Sequence, residues 1–370
     1  MDRKKIVVLG GCGQAGRAIV RLLLERTDAS VVIAGRSLEK AQALANDMRR
    51  MHAGAQVAAS CADAVKPASL GDAFRGADIV IVASTTANFT ANVVRACLDA
   101  RCDYFDILDS PEVADILNQF AQQAKKAGRL FITQGGLAPG MPAAIVRLAH
   151  ASLDNLRGAR LGLALSLKTA ERYEQVYDVF DFIVKTRPVA FEGGVWRKKS
   201  LGDTTTIDYG DRFGSRQSFA IDMPELHALP EQLGLEDLSI YAASPNQMVD
   251  YLLKKLIMGL HRIRPRLGWP TLARLIFRAS KQMAHEPSGF SNVLEAWGQR
   301  NGVDRRLRIV IEHEDNYFAT AVTVIAFLRQ YFSGAFKETK GVRMMGHLID
   351  PERSLHEIQE MGVTVRREGF

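Results

Sequence analysis

The sequence has no run approaching the roughly 20 apolar residues that a membrane-spanning helix requires. Cysteine is scarce: Cys12, Cys61, Cys97 and Cys102 all fall in the first third, without metal-ligand spacing. No metal centre is expected, and the thiols read as the reduced thiols of a cytoplasmic protein. Met1-Asp2-Arg3-Lys4-Lys5 leads straight into a short apolar strand. It lacks the longer apolar region and small-residue cleavage site of a secretory leader, so a cytoplasmic location is expected. Also missing are a zinc-ligand cluster, an RNA-binding signature and Lys/Arg runs interleaved with aromatic residues, so nucleic acid is not an expected partner. Internal repeats and low-complexity tracts are absent as well. What remains is a chain of 370 residues, 47% hydrophobic and 24% charged, long enough for two domains around sizeable cores. Its 48 basic residues against 41 acidic ones, a net +7, suit an anionic cofactor, an anionic substrate or a membrane surface.

Strands and helices alternate through the first half. Ile6–Leu9, Val31–Ala34, Gln56–Ser60, Asp78–Ala83, Asp103–Asp106 and Leu130–Thr133 read as strands. Arg17–Arg26, Leu38–Met51, Asn88–Ala100 and Val113–Ala127 carry apolar residues at helical spacing. Continuously apolar strands are those covered on both faces, and parallel neighbours need a crossover. The expected fold is therefore α/β: an N-terminal Rossmann fold with a doubly wound parallel sheet, joined to a second α/β domain with a mixed sheet.

Gly11-x-Gly13-x-x-Gly16 follows the first strand at once and opens the first helix, the setting in which such a glycine pattern acquires meaning. Gly11 is expected to make the tight turn, Gly13 to let the backbone approach a pyrophosphate, and Gly16 to let the helix pack on the strand. The loop residues Gly11, Cys12, Gly13, Gln14, Ala15 and Gly16 then offer backbone N–H groups at a helix N-terminus to an anion. An NAD site carries an acidic residue at the end of the second strand, whereas here Ala34-Gly35-Arg36-Ser37 stands there, with Arg36 20 residues after Gly16. A guanidinium pairs with a 2′-phosphate and stacks on adenine, and the Ser37 hydroxyl adds a donor, so NADP is the expected cofactor. Ser37 is also a plausible cap for the following helix. Ligands bind outside the carboxyl ends of the strands, which adds Asp63 beside adenine and Ser84 with Thr85 towards the ribose and nicotinamide. The glycine-rich segment Gln134–Met141 is expected to close the cleft.

These motifs, with Lys40-Ala41, Val94–Leu98 leading into Tyr104-Phe105-Asp106, and Gly136-Leu137-Ala138-Pro139-Gly140-Met141, resemble those of saccharopine dehydrogenase and its relatives. The similarity is clearest over about residues 5–145 and returns near Thr320-Ala321 and Asp350–Arg353. It implies a Rossmann domain joined to a central α/β substrate domain, often dimeric, and NAD(P)H-dependent reduction of the imine between an amino acid and a carbonyl partner. Carboxynorspermidine dehydrogenase and lipid-acting reductases are among those relatives. This chain departs from them at Ser84-Thr85, where a Gly-Pro pair is usual, and at Asp109-Ser110, where Gly and an acidic residue usually follow. The cofactor assignment survives both departures. An amino-acid substrate does not follow.

The second half is less regular. Arg160–Ser166 and Phe191–Trp196 read as strand segments, Leu294–Gly298 and Leu307–Glu312 as a hairpin, and Thr320–Phe332 as a helix. The expected division is residues 1–140 for NADP, 141–320 for substrate and dimerisation, and 321–370 as C-terminal helices returning to the first domain. Between Tyr251 and Lys281 stand eight Lys or Arg and no acidic residue, interleaved with leucines and isoleucines and split by Pro265 and Pro270. Such a segment is either a basic amphipathic pair on an anionic membrane or lipid, or a surface pair packed on the core or a second subunit. No catalytic residue stands out. Proton-donor candidates are Asp109, His285, His313 and Tyr317, and carboxylate-binding candidates are Lys168, Arg172 and Lys185. The reading is an NADP(H)-dependent oxidoreductase, a homodimer, transferring hydride to a C=N or C=C bond of a small or lipid-like substrate. The alternative is an NADP-binding protein without turnover, in a sensory or structural role.

Overall fold

Short runs of Val, Ile, Leu and Phe form the centres of the parallel strands β1 Lys5–Leu9, β2 Ser30–Gly35, β4 Ile79–Val82 and β6 Leu130–Thr133, joined by the less apolar β3 Val57–Cys61 and β5 Asp103–Asp106. A seventh, β15 Gly341–Met344, comes from far along the chain and pairs with β6. The order is β15-β6-β5-β4-β1-β2-β3, with every pairing parallel. Sequence order reverses between β1 and β4, the switch point of a Rossmann sheet. The computed structural model describes residues 3–84, 86–166, 172–200, 202–243, 247–282 and 287–370.

Both faces of this sheet are covered. Val7, Leu9, Val80, Val82, Tyr104 and Phe131 form one core with Leu70, Phe74, Val93, Val94, Val113, Leu117 and Phe120. The latter come from α3 Pro67–Phe74, α4 Thr90–Asp99, α5 Pro111–Gln119 and the α5–α6 junction before α6 Ala121–Lys126. The intervening strand residues Ile6, Val8, Ile79, Ile81 and Phe105 are equally buried, which is why these strands are apolar throughout rather than alternating. α1 Gln14–Arg26 and α2 Leu38–Met51 pack beside β1, β2 and β3. α12 Asn316–Phe332 is buried along most of its length, with the Phe327 ring centroid 4.7 Å from that of Phe105. The helix expected over Val113–Ala127 is two helices that part at Phe120, and α3 and β15 had no counterpart in the sequence reading.

The chain divides into residues 1–144 with 317–362, and 145–316 with 363–370. The helix α7 Met141–Ser152 runs from the first segment into the second. The second unit is built on a mixed sheet of nine strands among the described residues. They are β7 Asn155–Leu165, β8 Val189–Glu192, β9 Val195–Lys198, β10 Thr204–Asp208, β11 Ser215–Ala220, β12 Asp237–Ala243, β13 Phe290–Arg300, β14 Val303–His313 and β16 Thr364–Glu368. The expected hairpin is present but twice as long, because Asn301 and Gly302, with φ of 54° and 73°, close a two-residue turn between Arg300 and Val303. Helices α8 Val176–Lys185, α9 Leu229–Leu233, α10 Gln247–Ile263 and α11 Trp269–Gln282 complete this unit. At the C-terminus, α13 Met345–Leu348 and α14 Pro351–Glu360 belong to the first unit. The last strand, β16, instead pairs with β14 of the second sheet.

Candidate functional site

All seven strands of the first sheet point one way, so their carboxyl ends and the loops that follow lie along a single edge. The loop after β1 is the most constrained. Gly10 takes φ +86°, and a Cβ there would come 2.5 Å from the Ser84 Cβ and 2.7 Å from the Ala83 carbonyl oxygen. The tight turn expected at Gly11 is therefore made by Gly10, where the chain passes close to the end of β4. Gly11 has ordinary φ and sits against Ile33. Gly16 is as expected: an added Cβ would stand 2.2 Å from the Gly10 carbonyl oxygen, so the first turn of α1 touches the loop that precedes it. Gly13 is the exposed N-cap of α1, without a side-chain cap, and the first turn of α1 holds no acidic residue. An anion thus meets bare backbone at a helix N-terminus.

Two cations border the loop. Arg17 and Lys40 both act on the Cys12 thiol in the sense that favours its anion, although burial outweighs them and pushes the thiol upward. Arg17 also donates to the Cys12 carbonyl at 3.0 Å. Arg36 stands exposed just past β2, with no ion pair among the described residues. Ser37 caps α2, accepting from the Lys40 N–H at 3.2 Å. Its capping role is geometric fact, and its hydroxyl proton remains available to a second acceptor. Arg36, Lys40 and Arg17 therefore bring three cationic side chains to the glycine loop and the end of β2. Sequence reading found only the first, although Lys40 lies one helical turn beyond it.

The other predicted positions differ in kind. Asp63, after β3, accepts from the Val65 N–H at 3.1 Å, while its backbone binds Ser69 and Lys66. This carboxylate folds its own loop. Ser84 follows β4, half-buried against Gly10, its carbonyl accepting from the Thr86 N–H at 2.7 Å. Thr85 lies outside the described residues. Of the proton-donor and carboxylate-binding candidates, His285 and Lys168 also lie outside them. The His313 Nδ1 accepts from the Asp315 N–H at 2.9 Å, closing the turn after β14. Tyr317 opens α12. Asp109 is exposed after β5, Arg172 precedes a short helical turn, and Lys185 ends α8. Asp109 and Tyr317 belong to the first unit, and Arg172, Lys185 and His313 to the second.

The ends of β5 and β6 hold what sequence reading missed. Asp106, fully buried, accepts on one oxygen from Leu108 N–H, Thr133 Oγ1 and Gln134 N–H at 3.0, 3.1 and 3.3 Å. Among the described residues its Oδ2 makes no hydrogen bond, and neither does either polar atom of the buried Gln134 side chain. Burial raises the Asp106 carboxyl to about 6, the bonds from Leu108, Thr133 and Gln134 and the nearby Tyr104 hydroxyl only partly offsetting it. Gln134 also takes φ +56°, rare for a side chain of its size. Gly135 donates to the Asp106 carbonyl at 2.8 Å and has no room for a Cβ beside the Phe105 ring. Asp106 thus clamps the start of the glycine-rich segment Gln134–Met141. Strained backbone and unmade buried hydrogen bonds concentrate where a structure is held for use. The sequence places Asp106 at the end of β5 without a signal for the clamp, which needs Thr133 and Gln134.

The comparisons agree with this geometry. Residues 6–132 match the family described as saccharopine dehydrogenase NADP binding domain. No curated protein matches by sequence. Among solved structures, apo saccharopine dehydrogenase (L-Glu forming) from Saccharomyces cerevisiae aligns with a TM-score of 0.71 and 13% identity, over 99% of this chain and 100% of its own. C. glutamicum DAP dehydrogenase in complex with DAP aligns with a TM-score of 0.50 and 13% identity, over 98% and 100%. An engineered D-amino acid dehydrogenase bound to NADP+ aligns with a TM-score of 0.50 and 12% identity, over 95% and 96%. At such identities these structures speak for the fold. Residues 6–132 thus resemble the saccharopine dehydrogenase NADP binding domain, and the fold along the whole chain is similar to that of saccharopine dehydrogenase.

Proposed function

We propose that the protein is an NADP(H)-dependent oxidoreductase that reduces a C=N or C=C bond of a small or lipid-like substrate. The observation that carries this is the uncapped start of α1, brought against Gly10 by Gly16 at the switch point between β1 and β4. The pyrophosphate is held by the loop Gly11, Cys12, Gly13, Gln14, Ala15 and Gly16. The 2′-phosphate falls to Arg36, with the Ser37 hydroxyl donating beside it and Lys40 adding charge. Asp63 borders adenine, and Ser84 borders the ribose. Bound here, the cofactor supplies hydride, and the protein supplies its orientation and the field around it. Asp106 holds the Gln134–Met141 segment where the nicotinamide end of the edge is expected, since that edge runs from β3 through β1 and β4 to β5 and β6.

Arg36→Asp tests the reading. A charge-assisted phosphate contact contributes about 1.5–3 kcal/mol, so NADPH affinity should fall roughly 10- to 100-fold while NADH affinity does not. Fluorescence titration of both nucleotides, before and after substitution, measures it. If neither nucleotide binds the unsubstituted protein, the loop is a structural turn and the proposal fails. Consumption of NADPH against a panel of cyclic imines and of enones then separates C=N from C=C reduction. Tight binding with no turnover on any substrate class would favour a sensory role.

A further inference from the structure

We infer that α10 and α11, the consecutive helices packed on α8, form a membrane-docking surface that seats on anionic lipid. On their inner side, Ile257, Trp269 and Ala273 pack against Val176, Phe180 and Ile183 of α8. Away from that core the two helices and the turn between them leave large aliphatic groups in water: Ile263 is 78% exposed and Leu275 64%, with Leu256, Met258 and Leu267 also exposed. At the tip, six successive residues, Arg262-Ile263-Arg264-Pro265-Arg266-Leu267, are all exposed. Cations and aliphatic groups thus alternate along this exposed turn.

The charges select among occupants. From 251 to 281 the segment holds eight Lys or Arg and no acid. One of them, Arg266, pairs with Asp181 of α8 at 3.0 Å and lies over the Trp269 ring. Arg274 and Lys281 lie over Tyr173 and Phe277. Arg262 and Arg264 meet no acidic partner among the described residues. A second copy set face to face on this surface would bring the same uncompensated cations together, which opposes a two-fold pairing here. A nucleic acid would gain from exposed aromatic rings, whereas the exposed groups are aliphatic and Trp269 is buried. Aliphatic side chains flanked by arginines, whose stems extend along hydrocarbon while their heads reach phosphate, fit the boundary of an anionic bilayer.

The test is co-sedimentation of the full chain with vesicles of phosphatidylcholine alone and of equal parts phosphatidylcholine and phosphatidylglycerol. Binding is expected only to the anionic vesicles and should weaken with added salt. Arg262→Glu with Arg264→Glu should lower the partition coefficient at least about tenfold. Ile263→Ser should weaken binding while its salt dependence persists. All these positions are exposed, so the variants should keep the wild-type unfolding midpoint, which identifies any that fail to fold. Failure to bind anionic vesicles at low salt, or binding that charge reversal leaves intact, would overturn the inference. So would sedimentation velocity showing that the same substitutions split a dimer, which would assign the face to a second copy. None of these results depends on nucleotide binding.

Discussion

Asp106 shows how one side chain can hold a functional segment at a cost. Its carboxyl is raised from 3.8 to about 6 by burial, so the folded protein holds that proton more tightly than the unfolded chain. The stabilisation linked to this group is complete at pH below 3.8 and is lost as pH rises through about 6. The loss is on the order of 3 kcal/mol for a shift of this size. Asparagine keeps a carbonyl acceptor for Leu108, Thr133 and Gln134 but cannot ionise. The stability of Asp106→Asn relative to wild type should therefore rise with pH between about 4 and 7, by up to that amount. Urea unfolding of both proteins across this range measures it, and a difference that does not change with pH would refute the assignment. Arg36 was legible in the sequence because its position follows from one strand end and one glycine loop. Asp106 was not, because its role depends on Thr133 and Gln134 of a strand 27 and 28 residues on.

Among the elements, the β1–α1 turn is where sequence and structure agree most closely, differing in which glycine turns. Gly16→Ala would press a methyl group into the Gly10–Gly11 backbone, at a cost of about 1–3 kcal/mol, and would shift the start of α1 away from the glycine loop. Thermal unfolding and NADPH titration should both register it. Gly71, inside α3 with open space around it, is the control: alanine there should stabilise by about 0.5–1 kcal/mol and leave nucleotide binding alone. Equal effects at the two sites would mean that helix propensity, not close packing, explains Gly16. The apolar runs within β1, β2, β4 and β6 announced themselves, since burial on both faces demands hydrophobicity without alternation. The edge strand β15, Gly-Val-Arg-Met, carries little of that signal and pairs on one side only.

At the scale of the whole molecule, the nucleotide-binding unit is assembled from two separated stretches of chain. Residues 317–362 supply α12, β15, α13 and α14 to a unit whose other strands end at residue 133. α12 is tied to the sheet by the Phe105–Phe327 contact and by the Tyr331 hydroxyl, which donates to Asp103 at 2.6 Å. Phe327→Ala should cost about 3–5 kcal/mol, and a chain ending at residue 316 should lose NADPH binding although every glycine-loop residue is intact. Retained binding in the shortened chain would show that the nucleotide site forms without residues 317–362. By itself the sequence determined the parallel Rossmann half, the glycine loop and the basic end of β2, because each rests on residues close together along the chain. Only the tertiary structure decided that Gly10 makes the turn, that Asp106 clamps the loop after β6, and that the C-terminal region serves both sheets. Those outcomes depend on contacts between segments distant in sequence, which local patterns of hydrophobicity and turn chemistry do not encode.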